Sequence, residues 1–446
     1  MSATADPTDG VDLRRIVRLW LPLAGSWWMM GAEGPLCNAF IARLPDQEAQ
    51  LAAFGSLAYP IAMLIEAPVI MLLAASTRMA TDRVSWLRLF RFAQVAGLVL
   101  TVLHAAVAFT PLFDWIARTA IGVPEPVVEP ARTAMQWLLP WSWMIAWRRM
   151  QQGVLIRYEA SRPVAIGTAL RLAANLSTLF VGTWLGAERG WSGAAVGAAG
   201  ISVGVTVEAL FIEWATRRFA LPRLPATSTQ GDWTWGAFWR FYLPLLSLPY
   251  LTIGIQPLGA KTIAELPDEL PSLAVWGPVT SLVFLTRAGG FALNEVVIAL
   301  IGRPGGLRAL SRFAWRFALV AAGFLLTLAF TPLGSVWFVN VGGMKPELAT
   351  FALVALPFAL TQPVCGVYQN LFQGALVHSG RTRAVTEGVV IYSSVCVGLF
   401  ALAVRFWQGS GVVAALLAIA VAQVLQLGWV AWRSRCGRVA VERPGS

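Results

Sequence analysis

Residues Ala108–Leu112 read AFTPL, and the same five residues return at Ala329–Leu333, 221 positions later. The neighbouring sequence repeats at nearly the same spacing. RLWLPL at Arg18–Leu23 faces RFYLPL at Arg240–Leu245, and LPDQE from Leu44 faces LPDEL from Leu266, each pair 222 apart. QQGVL from Gln151 then matches FQGAL from Phe372, and SRPVAIG from Ser161 matches RTRAVTEG from Arg381. One register held across most of each half marks an internal duplication. The expected units are 1–220 and 221–446, joined by the polar segment RLPATSTQGD (Arg223–Asp232).

The repeating unit is a membrane unit. Of 446 residues, 57% are hydrophobic and 13% charged, against about 25% charged in soluble domains. Apolar runs of about 20 residues, enough to cross a hydrocarbon core as a helix, recur from Leu19 to Trp432. They predict twelve spans: 19–42, 51–76, 91–112, 131–156, 164–185, 192–214, 238–260, 272–301, 315–338, 349–375, 384–405 and 411–432. Six spans per repeat give both halves one orientation and place a pseudo-two-fold axis along the membrane normal. The expected fold is therefore all-α and polytopic, with two six-helix lobes around a central cleft. Rocking one lobe against the other opens such a cleft to each side in turn. No segment outside the spans is long enough for a water-soluble catalytic domain.

The net charge of +11 reads as topology rather than nucleic-acid binding. Arginines crowd the termini and the loops after even-numbered spans, a positive-inside pattern that puts both termini in the cytoplasm. The polar, acidic start MSATADPTDG does not read as a cleavable signal peptide, so span 1 is expected to act as the insertion signal. Cys37, Cys365, Cys396 and Cys436 show no metal or redox spacing and read as packing residues. His104 and His378 read as core or interfacial, and many of the 21 tryptophans as interfacial belts near span ends. The expected setting is a cytoplasmic (inner) membrane, as a monomer without metal or cofactor.

Charged groups inside spans are costly, so each asks for a partner, a wet cavity or a function. Glu33 stands in WWMMGAEGPLCNAF (Trp27–Phe40) just before Gly34 and Pro35, where the proline removes a backbone hydrogen bond and predicts a hinge. Its counterpart segment LTIGIQPLG (Leu251–Gly259) keeps a proline, Pro257, but has no acid. Two readings of Glu33 stay open: a coupling or substrate carboxylate, or a neutral or Arg-paired structural one. Asn38 belongs to the same stretch. Glu66 on span 2 and Arg287 on span 8 occupy equivalent positions with opposite charge, which predicts an inter-lobe latch, cavity-lining groups, or partners within each lobe. Arg148 and Arg149 lie in span 4, where one can snorkel and one can face the cleft to attract an anion. Arg171 and Asn175 in span 5, Glu208 in span 6 and Glu295 in span 8 complete the polar set, with Glu213 expected at the interface.

Two tandem six-helix repeats with a QG-x-L segment closing spans 4 and 10 resemble the multidrug and toxic compound extrusion (MATE) fold, within the multidrug/oligosaccharidyl-lipid/polysaccharide exporter superfamily. FQGALVHSGRTRAV (Phe372–Val385) is similar to that family's span 10–11 loop. GAEGPLCNAFIAR, LAAFGSLAYPIAM, STRMATDR and MIAWRRMQQGVLIRYEAS, in this order, resemble the progressive ankylosis protein family within the superfamily. That resemblance implies secondary transport by alternating access, exporting small organic anions such as citrate, pyrophosphate or nucleotides. Bacterial MATE transporters instead export organic cations against sodium or protons, often with a span 1 Asp, for which Glu33 is the nearest acid here. The alternatives are proton- or sodium-coupled multidrug efflux and a lipid-linked oligosaccharide flippase. A membrane-embedded transferase is the remote one, lacking an evident nucleophile and base at one interface. The expected partners are thus a small-molecule substrate, a coupling proton or cation, and the bilayer.

Overall fold

The computed structural model describes residues 11–160, 162–226 and 234–441, with residues 436–441 described by backbone alone. The first ten residues, most of the expected linker and the Cys436 side chain lie outside this set. Among the described residues, twelve long helices or bent helix pairs follow one another: α1 Leu13–Ile41, α2 Gln47–Met79, α3 Arg83–Phe109, α4 Glu125–Trp137 with Leu139–Arg157, α5 Arg162–Arg189 and α6 Gly193–Arg223. After these come α7 Trp235–Ala264, α8 Glu269–Leu300, α9 Gly306–Phe330, α10 Pro346–Ala359 with Thr361–His378, α11 Thr382–Phe406 and α12 Gly411–Val441. Among the described residues there is no strand.

Most of these helices are long and apolar enough to cross a membrane, α10 as a bent pair. The exceptions are α1 and α4, which carry Glu33, Arg148 and Arg149 among tryptophans and prolines. Span 9, expected to reach residue 338, ends at Phe330. The AFTPL motif itself is the stop: Thr110 and Thr331 turn extended (φ −118° and −127°), and the following proline starts a new short turn. Span 4 is interrupted at Leu138, where Pro140 supplies no amide hydrogen and crowds the preceding turn.

The duplication reaches the backbone. Asp46 and Asp268, 222 apart, both take left-handed geometry (φ 54° and 57°) just before α2 and α8. Gly122 and Gly343, 221 apart, are left-handed (φ 83° and 70°) after the π-helical turns Trp115–Ile121 and Val336–Val341. Repeated irregularities of this kind show that the halves share one fold rather than one composition.

The lobes are tied by an exchange of partners. The N-terminal half of α1 packs along α8, where Ile16, Trp20 and Ala24 join a buried cluster with Ala292, Leu293 and Phe313, while Cys37 and Ile41 in its C-terminal half stay in the first lobe's core. Trp20 Nε1 donates to the Gly289 carbonyl at 2.8 Å. Helix α7 does the reciprocal on α2, and the Tyr242 hydroxyl donates to the Pro68 carbonyl at 2.5 Å. At the end away from α1's N-terminus, the far end, Arg43 donates to the carbonyls of Asn340 (3.2 Å) and Val341 (3.0 Å), and Ser56 donates to the Leu273 carbonyl (2.6 Å).

Near-end loops are capped. Asp82 precedes α3 and accepts from the amides of Val84 (2.8 Å) and Ser85 (2.9 Å) and from the Thr81 hydroxyl (2.8 Å). Burial pushes its carboxyl up, but the bonds from Ser85, Thr81 and Val84 outweigh it and hold the group below the usual range. A depressed carboxylate contributes stability above the unfolded value of about 4, which is lost as pH falls through the folded one. Asp82→Ala should therefore cost about 1 kcal/mol at neutral pH. The wild-type advantage in thermal unfolding should vanish in acid; an equal gap at pH 7 and pH 3 contradicts this.

Candidate functional site

A cavity of about 370 Å³ lies between the lobes beneath the far-end closure. Its walls come from α1 (Glu33, Asn38), α2 (Tyr59, Met63), α7 (Gln256) and α8 (Phe284), with Ile201 from α6. Its roof is set by two glycines. Gly55 and Gly277, 222 apart and so equivalent in the two repeats, touch each other: a Cβ on Gly55 would stand 2.8 Å from the Gly277 Cα. Residues that meet their own counterparts lie on the pseudo-two-fold axis. Beside them Asn38 Nδ2 donates to Ser281 Oγ at 3.1 Å, while Asn38 Oδ1 is buried without a partner.

The wall of the first lobe is a charged network. Glu33 accepts two bonds from Arg171, one of them from Nε at 3.0 Å, and a third from Asn175 Nδ2 at 3.0 Å. Arg171 continues to Glu208 at 3.7 Å, and Glu208 also binds Arg148 and Gln152 (3.0 Å). The spacing along α4 explains the pattern. Arg148 and Gln152 are one turn apart and meet Glu208; Trp147 and Gln151, on the adjacent stripe, meet Glu213. Glu213, expected at the interface, is buried and also binds Arg217 at 2.5 Å. Of the two readings of Glu33, the structure shows the Arg-paired arrangement, with the carboxylate still on the cavity wall.

The remaining candidates fall at different depths. Glu66 and Arg287 do not pair with each other; each lies one turn beyond a cavity-lining repeat partner, Met63 and Phe284. Glu66 is buried near Ser142 and Arg148, with Oε1 unpartnered. Arg148 is 2% exposed and turned into the lobe, so it does not snorkel. Arg149 is half-buried, its Nε without an acceptor. Glu295 is exposed, farther along the α8 stripe that carries Phe284 and Phe291.

The hinge expectation changes in kind. Helix α1 runs unbroken through Gly34 and Pro35, and Gly34 serves close packing instead: a Cβ there would meet Ser281 Cβ at 2.7 Å. The interruption falls in the other lobe, where α7 breaks at Gly254, three residues before Pro257. His104 is a core residue. Its Nε2 donates to the Met135 carbonyl (2.9 Å), which leaves Nδ1 to accept from Ser142 (2.8 Å). Cys37, Cys365 and Cys396 are free and buried. A larger cavity of about 830 Å³ on the far-end seam, lined by Phe180, Trp184 and Trp337, is mainly apolar and does not hold the network.

This fold is that of MATE transporters. No family model matches the chain, and no curated protein matches its sequence. Solved structures do. An inward-facing multidrug-resistance MATE transporter of the MOP superfamily superposes with a TM-score of 0.75 at 15% identity, over 93% of this chain and 96% of that one. An outward-facing conformation of a MATE transporter gives 0.63 at 16% identity, over 99% and 98%. A superfamily transporter from Pyrococcus furiosus, described as having a binding pocket of reverse polarity that suggests a different function, gives 0.62 at 15% identity, over 99% and 98%.

Proposed function

We propose that the protein is a secondary active transporter working by alternating access and exporting a small organic anion of the citrate, pyrophosphate or nucleotide type. The observation that carries this reading is the cavity between two equivalent lobes, roofed at one end by a contact of bare glycines that can part when the lobes rock. Neighbouring structures in inward- and outward-facing forms support the same motion. An anionic cargo is supported by the unpartnered Nε atoms of Arg149 and Arg287 and by the resemblance of the first lobe to the ankylosis family. The reversed pocket polarity described for the Pyrococcus furiosus transporter is a precedent on this fold. The lobes divide near residue 220, both termini face the cytoplasm across the inner membrane, and the monomer couples transport to a proton or cation gradient. Flux of labelled citrate or pyrophosphate into proteoliposomes under imposed pH and sodium gradients tests the proposal; no flux under any gradient overturns it.

One observation favours a second reading, cationic drug efflux: the cavity wall carries the Glu33 carboxylate. Drug-resistance assays separate the two, since cation export depends on Glu33 whereas anion export depends on an arginine, which Arg149→Ala probes. Glu33→Gln should leave the fold intact, because Arg171 keeps Glu208 as a counter-charge. The cost should be about 1–3 kcal/mol for the lost charged bonds, with transport impaired. Unchanged flux in Glu33→Gln removes Glu33 from the mechanism.

A further inference from the structure

The first lobe balances its buried charge and the second does not. Glu33, Glu66 and Glu208 stand against Arg148, Arg149 and Arg171, most of them in direct contact, and buried Glu213 pairs with Arg217. In the duplicated register, Arg148, Arg149 and Arg171 become Gln369, Asn370 and Tyr392, 221 positions on, and Glu208, whose helix starts 218 positions before its counterpart, becomes Gln426, all uncharged. Arg287, in the place of Glu66, is thus a cation without an acid. Its Nε is buried and unsatisfied, and the titratable groups around it are Tyr392 of α11 and Cys365 of α10.

It lies one turn beyond the cavity wall. Thr280 and Phe284 line the cavity, and Arg287 follows them at intervals of seven and three residues, which keeps it on the same face of α8. Gly366 of α10 makes room for it, since a Cβ there would come within 2.8 Å of Arg287 Nε. A guanidinium in a span is costly unless paired, and this one finds no carboxylate among the described residues.

We propose that the second lobe holds the anionic end of the cargo: a carboxylate or phosphate group seated bidentately on the Arg287 guanidinium, with the Tyr392 hydroxyl beside it. The geometry suits such groups because the guanidinium fork matches two oxygens of one anion. Glu33 and the first-lobe network then form the opposite wall of the cavity, already compensated and contributing no net charge. This inference rests on the transporter reading above and names the cargo chemistry that reading requires.

The test is initial-rate flux in proteoliposomes with two probes, labelled citrate and labelled pyrophosphate, for wild type, Arg287→Gln, Arg287→Lys and Tyr392→Phe. Arg287→Gln should raise KM for the anions by about ten- to a hundredfold, the loss of hydrogen bonds to a charged group. Arg287→Lys should recover part of that loss because the charge remains. A purely structural Arg287 would instead lower the maximal rate and the melting temperature at unchanged KM, and that result overturns the inference. Wild-type KM in Arg287→Gln also overturns it while leaving the transporter reading in place. A wild type that carries neither anion removes the anion reading itself, and the inference with it. The ratio of the citrate to the pyrophosphate effect tells which group the site was built for.

Discussion

Glu208→Ala is expected to destabilise the protein by about 3–5 kcal/mol, the penalty for leaving buried charge without its partner. Glu208 is fully buried and is the shared counter-charge of Arg148 and Arg171. Without it the two guanidiniums lose the carboxylate between them, and Arg148 has no other carboxylate in contact among the described residues. Thermal unfolding of the detergent-solubilised variant should show the loss, and the double variant Glu208→Leu with Arg148→Met should regain much of it, since an apolar pair of similar volume removes the orphaned charge. If Glu208→Ala melts with the wild type, the network contributes nothing to holding α4, α5 and α6 together.

Gly55→Val should cripple transport while leaving each lobe folded. The added Cβ would sit 2.8 Å from a backbone atom of Gly277, which cannot swing aside as a side chain could. Overpacking of this kind costs about 1–3 kcal/mol, and each 1.4 kcal/mol is tenfold in population, so the far-end-sealed state should fall by about one to two orders of magnitude. Labelling of a single cysteine placed at Thr280, inside the cavity, by a membrane-impermeant reagent applied to the far side reads that population directly. Labelling no faster than in the Gly55 parent contradicts the role of the glycine pair as roof.

The duplication made much of the fold legible before any coordinates. AFTPL, LPDQE and QQGVL with their partners predict two equivalent lobes, and even the left-handed turns at Asp46 and Asp268 fall in register. Helix ends were less legible, because a proline two residues past the last helical turn reads as apolar sequence until the break is seen at Thr331. The site was legible as a set of residue types rather than as a set of partners. Glu33 meets Arg171 across 138 positions, and no periodicity carries that pairing. Glu66 and Arg287 show the limit most clearly. Equivalence under a two-fold axis does not imply contact; only residues on the axis, such as Gly55 and Gly277, meet their own images, and those two carry no charge to draw attention.

The crossing of α1 onto α8 also sets a timetable for assembly. The ribosome releases α1 first, yet the Trp20 indole finds its acceptor only when Gly289 has been made, two thirds of the way along the chain. Until then the face bearing Ile16, Trp20 and Ala24 has lipid for a neighbour, and the first lobe must wait with one wall unsupported. Chains stalled or truncated before α8 are therefore expected to be the forms that membrane quality control recognises, through an exposed indole rather than through any misfolded loop.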